Sequence, residues 1–169
     1  MNNKSKSVAL GGVLAALAVA LMSIGSLIPS LDMSAAFISG FVIIIARIEI
    51  NRKTTIGVYA VSGLLSALLL PNRFTAICFI CLGGLYPILK EYIEVVKSRV
   101  LQIIIKIAAF NVLYTAIILL ANFLGIPLDD IVGLKWLIYV VGNITFLLYD
   151  FTLTLLISKY YIIFKKGRK

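Results

Sequence analysis

Apolar residues run through this chain in six long blocks, separated by short clusters of charged residues, prolines and small polar residues. The blocks cover 7–28, 33–50, 54–71, 73–90, 100–124 and 134–158. A helix needs about 20 apolar residues to cross the hydrocarbon of a bilayer. The pattern therefore predicts an all-α, polytopic integral membrane protein, a six-helix transmembrane bundle with residues 1–169 as one domain. Pro29 closes the first block, and "PSLD" (29–32) turns into the second. "EINRK" (49–53) divides the second from the third, and "PNR" (71–73) the third from the fourth. That last turn is short enough for a re-entrant hairpin to be the alternative to two full crossings. Pro87 is expected to kink or end the fourth span. "KEYIEVVKSR" (90–99) reads as amphipathic, and "GIPLDDIVG" (125–133) as a loop holding Asp129 and Asp130.

Composition agrees with a lipid solvent. The chain is 62% hydrophobic and 14% charged, with a mean hydropathy of +1.08. A soluble domain has about 45–50% apolar and about 25% charged residues. The basic, oily N-terminus resembles a signal peptide, but its apolar run is too long for one and five more follow, so it is read as a retained helix. The chain has no histidine, which removes the commonest general base and metal ligand. Cys78 and Cys81 stand one helical turn apart in an apolar run; with no second pair to complete a metal site, they read as small buried side chains.

The net charge of +9 does not form a nucleic-acid surface, because the basic residues gather at the ends of apolar runs. With the N-terminus cytoplasmic, the inner segments hold Lys4, Lys6, Arg47, Arg52, Lys53, Lys90, Lys97, Arg99, Lys106, Lys159, Lys165, Lys166, Arg168 and Lys169, fourteen of the 16 basic residues. Only Arg73 and Lys135 fall outside. That bias predicts a multi-pass protein of the plasma membrane with both termini cytoplasmic. The "KKGRK" tail is suited to anionic lipid headgroups.

Two features within the spans are candidates for function. Gly12, Ala16 and Ala20 recur every four residues on the first span, with Gly11 and Ala15 beside them. Such a row lets a second helix approach closely, either within the bundle or from a partner protein. On the sixth span, Trp136, Tyr139, Asn143, Leu147, Asp150 and Thr154 form a stripe; on the fifth, Asn111, Thr115, Ile118 and Asn122 do, flanked by Tyr114. Asn111, Tyr114, Asn122, Trp136, Tyr139 and Asn143 are the candidate ligand-binding set; interhelical hydrogen bonding is the alternative reading. Asp150, nine residues from Lys159, lies about 13 Å deep. Lys106, seven residues from Arg99, lies about 10 Å deep on the same side. The matched depths predict a buried ion pair, with Arg47 as the other candidate partner for Asp150 and snorkelling as the other fate of Lys106.

No zinc-protease motif, serine–histidine pair, aspartyl dyad or nucleotide-binding glycine loop is present. The sequence thus predicts no enzyme, cofactor, metal site or nucleic-acid partner. Six short spans, cytoplasmic termini and "LGGVLAALAVALMSIG" (10–25), with Ala16 and Ala20 in AxxxA positions, resemble the substrate-binding (S) components of energy-coupling factor transporters. The resemblance implies a subunit that captures a vitamin-like solute and docks, through its first helix, on a transmembrane coupling subunit energised by separate ATPases. "YPILK" (86–90) and "GNITFLLYD" (142–150) also resemble an uncharacterised family of small bacterial membrane proteins, which implies no activity. A non-transporting scaffold or assembly protein of the cell envelope is the alternative from a different class.

Overall fold

The computed structural model describes residues 3–28, 31–126 and 135–165. Pro29, Asp129, Asp130, the basic tail beyond Lys165 and the side chains of Lys4, Lys135, Trp136 and Lys165 lie outside the described set. All regular structure among the described residues is helical. Helices α1 (Asn3–Ser26), α2 (Asp32–Glu49) and α3 (Arg52–Leu69) follow the first three apolar blocks. The fourth block is a helix in three parts: α4 (Arg73–Cys78), a π-helical turn (Phe79–Gly83) and α5 (Leu85–Ile93). Then come α6 (Arg99–Phe123) and α7 (Lys135–Tyr160), the latter followed by a second π turn (Tyr161–Lys165).

Among the described residues, four stretches are long and apolar enough to cross a membrane: Ser5–Ser26, Arg73–Ile93, Arg99–Phe123 and Tyr139–Ile163. Helices α2 and α3 fall short for a chemical reason. The first carries Asp32, Arg47 and Glu49, and the second begins with Arg52 and Lys53. The chain divides into two compact units, Met1–Leu128 and Asp129–Lys169.

In the first unit α2 is the central helix, packed on α1, α3, α4, the π turn and α5. Its small residues explain the position. Ala36, Ser39 and Ala46 are fully buried, and the Ser39 hydroxyl donates to the Ala18 carbonyl of α1 (3.1 Å) as well as to Ala35 (2.8 Å). Short side chains let backbones close up, so dispersion contacts accumulate where hydrophobic transfer contributes little. The turns are set locally. Asn51 caps α3 by accepting from the Thr54 amide (2.9 Å), and Asn72 caps α4 through the Phe74 amide (3.0 Å). Just beyond α6, Gly125, whose φ is 65°, lets the Ile126 amide reach back to the Ala121 carbonyl (3.0 Å).

The irregularity expected at Pro87 begins one turn earlier. Proline offers no amide to the Gly83 carbonyl, and its ring crowds that oxygen. The helix takes up the misfit in the π turn, where the Gly84 amide bonds five residues back to Phe79 (2.7 Å). Tyr59 of α3 donates its hydroxyl to the Ile80 carbonyl within that turn (2.7 Å). Beyond Pro87 the helix continues to Ile93.

Candidate functional site

The two ends of the first unit carry different chemistry. At one end Asp32, buried at the start of α2, receives a hydrogen bond from the Asn72 side-chain amide (2.7 Å) and a second from the Thr75 hydroxyl. Asn72 thus uses its oxygen to cap α4 and its nitrogen to hold α2. Burial pushes the Asp32 carboxyl above its ordinary range, and the bonds from Thr75 and Asn72 pull the other way without reversing it. Arg73, beside this latch, is exposed.

The other end is ionic. Arg47 of α2 grips Glu91 of α5 with two donors, at 2.7 and 2.5 Å. Arg52 lies over the Tyr92 ring, 4.5 Å from its centre. Two buried lysines converge on one carboxylate oxygen: Glu94 Oε1 is 2.7 Å from Lys90 and 3.1 Å from Lys106. Gln102 donates to the Val96 carbonyl (2.6 Å), pinning the turn that presents Glu94. Arg47, the other candidate partner for Asp150, is therefore bound to Glu91. Lys106 has Glu94 as its carboxylate within the first unit. Asp150 belongs to the second.

The polar stripe predicted on the fifth span is split on α6. The buried face of α6 is Lys106, Phe110, Ile117 and Ala121. Asn111 and Tyr114 flank it, half-buried, whereas Thr115 and Asn122 are exposed. Tyr114 stacks on Phe110, ring centres 5.5 Å apart. The Asn111 amide donates to the Ile107 carbonyl (2.8 Å) and Thr115 to the Asn111 carbonyl (2.7 Å). Helix α7 does the same: Asn143 donates to Tyr139 (2.8 Å) and Thr154 to Asp150 (3.0 Å). These donors turn back on their own helix, one way to satisfy a polar group in an apolar medium.

On α1 the two small-residue rows separate. Gly11, Ala15, Ala18 and Met22 face the unit's interior, whereas Gly12, Ala16 and Ala20 are exposed. The row named as a docking face thus lies on the open side of the helix. Beside it, between α1 and α3, runs a groove of about 470 Å³. Cys78 and Cys81 are buried and unbonded, as small core side chains are expected to be.

No family model, curated protein or solved structure matches this chain.

Sequence reasoning missed the Asp32 latch and both glutamate pairings. A signal for the latch was present: "PSLD" and "PNR" both fall at the outer end in the six-span arrangement. Two polar turns at one level can meet.

Proposed function

We propose that the chain is a six-span, non-catalytic subunit of a larger plasma-membrane assembly, docking through α1, and that it captures a small solute for an uptake transporter energised by a separate ATPase module. One observation carries the docking: Gly12, Ala16 and Ala20 are exposed on α1 while Gly11 and Ala15 do the internal packing. A smooth small-residue face turned outward contributes nothing to its own bundle, and it is suited to the close approach of a partner helix. The partner in this reading is a transmembrane coupling subunit. Asn111, Tyr114, Asn122, Trp136, Tyr139 and Asn143 would contact the solute. In this reading the N-terminus is cytoplasmic, in keeping with the charge bias, so that the Asp32 latch faces outside and the Glu94 network inside. Helices α2 and α3, short as they are, cross as part of the packed unit.

The test is purification in mild detergent with Ala16→Trp as the variant. Co-purification of an ATPase-bearing partner with the wild type, its loss in Ala16→Trp, and an unchanged melting temperature are expected. A partner retained by Ala16→Trp would refute docking through this face. Native mass spectrometry tests capture separately: a stoichiometric small-molecule adduct is expected, weakened by Asn143→Leu.

The scaffold reading draws support from the back-bonded donors of Asn111, Thr115, Asn143 and Thr154. It expects no adduct and crosslinks to envelope-building proteins.

A further inference from the structure

The groove between α1 and α3 is made by side chains that are missing. A Cβ added at Gly12 or at Gly57 would meet nothing within 4 Å. Gly11 closes the floor, where a Cβ would touch Thr54 and Val58 at 3.1 and 3.3 Å. Its walls are apolar except at one end, where Lys53 and Thr54 stand. The volume, about 470 Å³, lies in the range of small-molecule sites, about 300–1,000 Å³.

Charge and depth indicate what fills it. At this end of the unit Arg47 is held by Glu91, Arg52 by the Tyr92 ring, and Lys90 and Lys106 by Glu94. Lys53 forms no ion pair among the described residues, and it is exposed at the groove's mouth. From Lys53 to Val61 the groove follows α3 for eight residues, about 12 Å. One leaflet of hydrocarbon is about half of 30 Å deep. A partner helix would use a face running the whole span, whereas this groove starts at a cation and ends within one leaflet.

We propose that the groove holds one acyl chain of an anionic phospholipid, with the headgroup phosphate on Lys53. Gly12 and Gly57 make room for the chain, and Lys53 selects the charge. That the leaflet is the cytoplasmic one rests on the orientation proposed above; the site itself does not.

The test uses the full chain in nanodiscs of phosphatidylglycerol and phosphatidylcholine, released for native mass spectrometry. The wild type is expected to retain one phospholipid, enriched about fivefold in phosphatidylglycerol, the ratio that about 1 kcal/mol per lysine at a headgroup implies. Lys53→Gln should keep the adduct and lose the enrichment. Gly57→Leu should lose the adduct, with its helical circular dichroism unchanged. Enrichment that persists in Lys53→Gln, or an adduct that persists in Gly57→Leu, overturns the proposal. So does a co-purifying protein lost in Gly57→Leu while the lipid signal stays constant, which would make the groove a helix-docking site. Ala16→Trp should leave the lipid signal intact, which separates failure of this site from failure of the α1 docking face.

Discussion

Asp32 shows how a single carboxylate can join helices distant in sequence. Its two oxygens hold Asn72 and Thr75, 40 and 43 residues away, so the turn before α2 and the turn before α4 are fastened together. Burial favours the neutral acid, so the folded carboxyl titrates above the ordinary value of 3.8. The stabilisation is complete below the ordinary value and is lost as pH rises through the raised one. The melting temperature of the wild type minus that of Asp32→Asn, measured in detergent, should therefore fall as pH rises from 4 towards neutrality. A difference that stays constant over that range would refute it. Asp32→Ala, which removes both acceptors, should cost about 1–3 kcal/mol at pH 4, and less as pH rises.

Glycines that look alike in sequence differ sharply at the level of helices. A Cβ on Gly83 would lie 2.2 Å from the Ala36 carbonyl oxygen of α2. Backbone cannot step aside as a side chain can, so Gly83→Ala should lower stability by about 1–3 kcal/mol or more. Gly12→Ala, with open space at the same atom, should be neutral or stabilising by about 0.5–1 kcal/mol through helix propensity. Equal melting temperatures for the two variants would contradict this packing. The helices themselves were legible: the six apolar blocks and the polar breaks at 49–53 and 71–73 anticipate their limits within a few residues. The inward face of α1 was not. Rows 11–15 and 12–16–20 are equally small, and only contacts such as those of Gly11 with Thr54 and Val58 decide which turns inside. The π turn was half legible, since Gly83, Gly84 and Pro87 mark a weak place without saying how the backbone resolves it.

For the whole molecule, what the sequence conveyed was a polarity, with basic residues crowded at one end. It did not convey that Glu91 and Glu94 bind Arg47, Lys90 and Lys106 there, because those partners come together only when α2, α5 and α6 pack. The proposed pairing of Lys106 with Asp150 is tested by a double-mutant cycle. Lys106→Met and Asp150→Asn, singly and together, should show coupled losses of thermal stability, whereas strictly additive losses would refute the pair. Reporter fusions at both termini should register as cytoplasmic; a fusion at either end that reports the opposite side would overturn the proposed orientation.

The central burial of α2 has a consequence for how the protein is made. Asp32, Arg47 and Glu49 leave it among the helices that do not qualify as spans alone, yet it is the one around which the unit packs. Partitioning from the translocon one segment at a time would strand it. In the six-span arrangement proposed above, α2 enters the lipid as half of a hairpin with α1, the Ser39–Ala18 bond already in reach, and completes its crossing once α4 arrives to take up Asp32. Nascent chains halted after Ile50 should leave α2 extractable by alkali while α1 stays inserted. Chains halted after Arg99 should retain both.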